Sequence, residues 1–124
     1  MGIMKESGLI DLFSNFFASH STSTSFPIFT LFSAGLVNVF VPSGGGQWTI
    51  IGPIIIQAAE SLQTSLPKSI TALAYGNQLT NMLQPFWALP LLGITKLSVK
   101  EILPYTLAMM LVAGTIYLST LLIF

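Results

Sequence analysis

Residues 102–124, "ILPYTLAMMLVAGTIYLSTLLIF", carry no charged side chain, and the last charge before them is Glu101. A helix needs about 20 mostly apolar residues to cross the roughly 30 Å hydrocarbon core of a bilayer. No other stretch of this chain meets that requirement cleanly. Backbone in hydrocarbon has no water to bond, so a spanning segment must satisfy its own N–H and C=O groups as a helix. Pro104 is expected in the first turn of this helix, where its missing N–H is unpaired anyway. The remainder of the chain suits the same solvent. It is 52% hydrophobic and 6% charged, against about 25% charged in soluble domains. Most of its surface therefore faces lipid or other apolar protein.

Residues 41–53, "VPSGGGQWTIIGP", interrupt this apolar background. Before them, residues 26–41 ("FPIFTLFSAGLVNVFV") would be roughly 24 Å long as a helix, and after them residues 48–59 roughly 18 Å. Neither spans comfortably. Pro42, the glycines 44–46, Gly52 and Pro53 oppose one continuous helix. Two short apolar arms joined by a Gly-rich polar tip predict a re-entrant hairpin over residues 26–59. Such a tip is tolerated at membrane depth only where protein or water surrounds it. The plain alternative is a flexible turn between two spans, which would need full-length arms. A phosphate-binding loop is excluded because no Gly-Lys-Ser/Thr follows.

Residues 69–94 are long enough to cross once, but their middle, "YGNQLTNMLQP", is polar. Asn77, Thr80, Asn81 and Gln84 recur at i, i+3, i+4, i+7, which is one helical face. Gly76 and Pro85 bracket the stretch, so it reads as a discontinuous transmembrane helix. Hydrogen bonding between helices is the simpler use for such side chains, worth about 0.6 to 2 kcal/mol each in membranes. Four together beside Gly76 and Pro85 favour lining a site, with Asn77, Thr80 and Asn81 leading. Gln84 is the candidate to bridge backbone groups loosened by Pro85.

At the start, residues 3–17 place Leu9, Phe13, Phe16 and Phe17 on one side, with Lys5, Glu6 and Asp11 elsewhere. That predicts an amphipathic helix lying at the interface, followed by a polar linker to residue 25. The opening residues read neither as a cleavable signal peptide nor as a myristoylation signal, which Glu6 spoils. Residues 60–68 and 95–101 read as loops. Lys96 and Lys100 make the second loop the favoured cytoplasmic one.

Charge and residue inventory exclude several functions. Four lysines balance four acids, with no arginine, so there is no basic patch for nucleic acid. One histidine and no cysteine leave little from which to build a nucleophilic triad or a metal site. No acid lies inside an expected span, where it would signal function by default. An enzyme is not expected, nor a cofactor. Coupling to Na+, coupling to H+ and uncoupled movement all stay open.

At "FVPSGGGQWTIIGP" and "AYGNQLTNMLQPFWALPLLGI" the chain resembles the short-chain fatty acid transporter family. The resemblance covers essentially the whole chain, is strongest over residues 41–92, and matches the C-terminal portion of a family member. It implies a secondary carrier of short-chain monocarboxylates such as acetoacetate or butyrate. It also implies kinship with carriers of the ion-transporter superfamily, which set re-entrant hairpins and broken helices around a substrate, one set per inverted repeat. The expected partners are then a monocarboxylate, the lipid bilayer and either the missing N-terminal half or an oligomer. The expected location is a bacterial inner-membrane-type cell membrane, crossed more than once.

For a small carboxylate, a half-helix N-terminus supplies unpaired N–H groups and about half a positive charge. The helix beginning near Trp48 would point that end at the tip. Gly44, Gly45 and Gly46 allow close backbone approach, and Ser43 and Gln47 add donors. Ser43, Gly44, Gly45, Gly46, Gln47, Asn77, Thr80 and Asn81 are accordingly the expected substrate-binding residues. Trp48 and Trp87 flank the polar motifs as interfacial anchors or as walls for the substrate tail. The fold expected is an all-α membrane protein: interfacial helix, re-entrant hairpin, broken transmembrane helix and one full C-terminal crossing at 102–124. The alternative function is a truncated inactive remnant or a small non-transporting membrane subunit.

Overall fold

The computed structural model describes Gly8, Asn15, Phe16 and residues 19–124. Apart from Gly8, Asn15 and Phe16, the expected interfacial helix over residues 3–17 lies outside the described residues. The rest is helical: α1 (Phe26–Phe40), α2 (Gly44–Ser61), α3 (Leu66–Asn81), a 3-10 turn (Pro85–Ala88), α4 (Leu89–Thr95) and α5 (Val99–Ile123). Among the described residues there is no strand.

The connection between α1 and α2 is short. Val41 leaves the helical region ahead of Pro42, as residues before proline do. The Ser43 N–H then bonds the Val41 carbonyl at 2.8 Å, closing a three-residue turn around Pro42. Ser43 is extended and caps α2, its Oγ accepting from the Gly46 N–H at 3.3 Å. The three glycines are thus the first turn of α2, and that helix begins at Gly44 instead of near Trp48. Glycine is a poor helix former, but in a first turn the capping serine offsets part of that deficit. The second arm is correspondingly longer, roughly 27 Å, beside roughly 22 Å for α1.

At the far end, α2 closes with Gln63 at φ 54°, its N–H bonding the Glu60 carbonyl and the Thr64 N–H bonding that of Ala59. This is a Schellman ending with glutamine where glycine is usual. The Thr64 hydroxyl reaches the Ser23 carbonyl at 3.2 Å, tying the open end of the hairpin together. α3 then runs back alongside α1. Their contact depends on Gly76, where a Cβ would overlap the Leu31 carbonyl and come within 2.9 Å of Ala34 Cβ and Gly35 N. Phe26, Ala34, Ile51, Ile55, Ala58, Ala59 and Leu73 form the core between α1, α2 and α3.

α3 ends in tight i→i−3 turns at Met82, Leu83 and Gln84. Gln84 is extended because Pro85 follows. The break therefore comes after Asn81, and Asn77, Thr80 and Asn81 remain on a helical face. α4 ends at Lys96, left-handed at φ 58°. The Glu101 carboxylate accepts from the Ser98 N–H and hydroxyl at the head of α5. That cap starts α5 at Val99, so Pro104 falls in the second turn, not the first. It leaves the Lys100 carbonyl without its ladder partner.

α5 runs antiparallel to α3. Tyr117 stacks on Tyr75 with ring centroids 4.0 Å apart, and Leu121 joins Leu31 and Ala72 in a second apolar cluster. Among the described residues α5 is the one helix long and apolar enough to cross a membrane, and Leu121 is its one buried residue.

Candidate functional site

The hairpin tip and the polar face of α3 meet. A Cβ on Gly44 would stand 3.1 Å from Asn77 Nδ2. The Asn77 side chain is held by its oxygen, which accepts from Asn81 Nδ2 at 3.2 Å. Its NH2 group has no acceptor among the described residues. The backbone N–H groups of Gly44 and Gly45 have none either, because a helix leaves its first N–H groups unpaired. Gly45 is open, with nothing within 4 Å of a Cβ placed on it. Unpaired backbone and side-chain donors thus meet where Gly44 packs against Asn77, and none of the described residues that contact them is acidic.

The other expected site residues are already engaged. Gly46 gives its N–H to Ser43 Oγ, which keeps its own hydroxyl proton free to donate. Gln47 is buried inside the hairpin, its Nε2 donating to the Ala34 carbonyl at 2.5 Å. It joins the two arms and does not extend the row of donors at the tip. Thr80 and Asn81 meet a residue that the sequence reading passes over, Asn38.

Asn38 is fully buried near the end of α1. Its Nδ2 faces Thr80 Oγ1 at 2.9 Å, Asn81 Oδ1 at 3.0 Å and the Asn77 carbonyl at 3.1 Å. Two protons serve three acceptors, so one bond is shared. Thr80 can still donate onward to the Gly76 carbonyl at 3.3 Å. Gln84 Nε2 returns across the break to the Asn38 carbonyl at 3.0 Å. The bridging expected of Gln84 is thus made to α1. Asn38 stands out in the sequence as the only amide in the arm over residues 26–41. That was the available signal, since an amide in an otherwise apolar arm needs partners.

Beside this junction lies an open cleft of about 540 Å³. Met82, Phe86 and Trp87 line one side, facing Thr106 and Met109 of α5. Pro42 of the turn and Gln78, Asn81 and Gln84 complete it, and none of these side chains is ionisable. The Trp87 indole N–H donates to the Asn81 carbonyl at 2.9 Å, which fixes the ring. Trp48 is not part of this wall: its ring lies over Gly52 on its own helix. Among the described residues no group of three His, Cys, Asp or Glu side chains could hold a metal ion.

The chain matches the family model described as "Short chain fatty acid transporter" over residues 1–124. Two proteins named "Putative short-chain fatty acid transporter" are similar to it. The one from Escherichia coli (strain K12) is 46% identical over 122 residues, which is 98% of this chain and 28% of that protein. The one from Haemophilus influenzae (strain ATCC 51907 / DSM 11121 / KW20 / Rd) is 45% identical over 116 residues, 94% of this chain and 26% of that protein. The chain thus spans about a quarter of the length of these relatives. No solved structure matches it. With a family match along its whole length, the chain belongs to the short-chain fatty acid transporter family.

Proposed function

We propose that this chain is the C-terminal part of a secondary transporter that carries short-chain monocarboxylates, of the butyrate and acetoacetate type, across the cytoplasmic membrane. The observation that carries this reading is the junction of tip and polar face, where Gly44 packs against Asn77 Nδ2 and neither that amide nor the Gly44 and Gly45 N–H groups have an acceptor among the described residues. A carboxylate offers two oxygens with about four lone-pair sites, and a helix N-terminus favours the negative charge. Neutral donors hold an anion less tightly than arginine does, which suits a carrier that must release its cargo.

Depth supports the same reading. Gln78 and Asn81 share a cleft with Thr106 and Met109, about 10 to 15 Å along an α5 about 37 Å long, and between them Leu79 Cδ2 lies 3.7 Å from a Cβ placed on Gly114, about 22 Å along. If α5 crosses the bilayer, the junction lies near its middle. Unpaired donors in hydrocarbon cost several kcal/mol each, so this tip belongs where water or substrate reaches it. In this reading α1 and α2 form a re-entrant hairpin and α3, the 3-10 turn and α4 form a broken crossing. The rest of the protein, or a second copy, closes the path.

Butyrate uptake into vesicles by the full-length protein tests it. Asn77→Asp keeps the shape and exchanges the free donor for a negative oxygen. It is expected to raise KM at least tenfold. Gly44→Ala, which sets a Cβ 3.1 Å from Asn77 Nδ2, should raise it several-fold. Unchanged uptake by both variants would remove the carboxylate from this junction.

A further inference from the structure

We infer that the cleft beside the junction receives the apolar tail of the substrate, and that Trp87 and Met109 set how strongly tail length counts. The inference rests on the carboxylate reading above. It starts from a division of chemistry: the unpaired donors gather at Gly44, Gly45 and Asn77, while none of the described residues that line the adjoining cleft is ionisable. Its large walls are Met82, Phe86, Trp87 and Met109.

Two of those walls are uncovered aromatics. Phe86 is 70% exposed and Trp87 56% exposed. Trp87 is nevertheless held in place, because its N–H is bonded to the Asn81 carbonyl. The polar end of the indole is satisfied and its apolar surface is left to the cleft. Asn81 also bonds Asn77, so one residue connects the tail wall to the carboxylate donor. Pro42 lines the cleft next to the capping Ser43. A carboxylate at the junction therefore has its carbon chain beside the cleft.

Size and softness fit a series of acids better than a single one. The cleft falls within the range of small-ligand pockets, about 300 to 1,000 Å³, and exceeds what four carbons fill. Methionines at 82 and 109 are flexible and polarisable, so they follow tails of different length. Each methylene buried there should tighten binding about fourfold.

The test is competition by straight-chain acids from acetate to hexanoate against labelled butyrate uptake by the full-length protein. The wild type is expected to gain about fourfold per methylene. In Trp87→Phe the indole N–H bond is lost and the gain should fall to twofold or less. In Met109→Trp, on the facing wall, the gain should stop beyond propionate. A slope unchanged in both variants, or a flat wild-type series in which every acid competes equally, overturns the tail cleft and leaves the carboxylate junction standing. No competition by any acid in the wild type removes the junction, and the cleft with it. If Trp87→Phe does not reach the membrane, Met109→Trp decides the matter by the same slope.

Discussion

Gly76 of α3 presses its backbone directly against the carbonyl of Leu31 on α1, leaving no room for a side chain between the two helices. This contact sets the spacing of the helices that carry Asn38 and Asn77. Gly76→Ala forces α1 and α3 apart, and overpacking of this kind costs roughly 1 to 3 kcal/mol. We expect a lower thermal midpoint in detergent and lower yield in the membrane. Gly93→Ala on α4, where a Cβ meets nothing within 4 Å, should be neutral or stabilising by up to about 1 kcal/mol. Equal midpoints for the two variants would show that the α1–α3 contact does not limit stability.

Asn38 is the polar connection between the same two helices. Asn38→Leu leaves Thr80 Oγ1, Asn81 Oδ1 and the Asn77 carbonyl without their shared donor. Leaving buried polar atoms unpaired costs about 1 to 3 kcal/mol. Asn38→Asp should be worse, because it turns the donor into a negative oxygen facing these three oxygens. Unfolding in detergent, followed for both variants and the wild type, should rank them wild type, then Leu, then Asp. If Asp matches the wild type, the network is not built around a donor at this position.

The gross organisation is legible because polar residues are conspicuous in an apolar chain. The tip announces itself through Pro42 and three glycines, and the break through Pro85 and the amides before it. The limits of α2 are not legible in the same way. Glycines read as loop by propensity, yet the Ser43 cap and the unpaired first turn admit them as helix. Likewise the Ser98–Glu101 cap moves the start of α5 to Val99 and Pro104 into the second turn. Asn38 is harder still, since its partners lie 39 to 43 residues away. Gln47 sits beside the glycines in sequence but turns into the hairpin toward Ala34, a direction that only packing decides. The residues of the tip could therefore be chosen from sequence, but not sorted into free and engaged donors.

Accessibility of the tip provides the last prediction. This chain has no cysteine, so single cysteines placed in it report cleanly once any elsewhere in the full-length protein are replaced. Gly45 is open and next to the free donors, and Gln78 lines the cleft. At mid-membrane depth, Gly45→Cys and Gln78→Cys should react slowly with a membrane-impermeant thiol reagent, at least tenfold below a cysteine at the exposed Lys100. Butyrate should slow both further, because a carboxylate at the junction and its tail in the cleft cover the two positions together. Fast labelling of both from one side, untouched by butyrate or hexanoate, would put the tip in bulk water. The unpaired N–H groups of Gly44 and Gly45 would then be an ordinary solvated helix end, and the proposal of a carboxylate at this junction would fall.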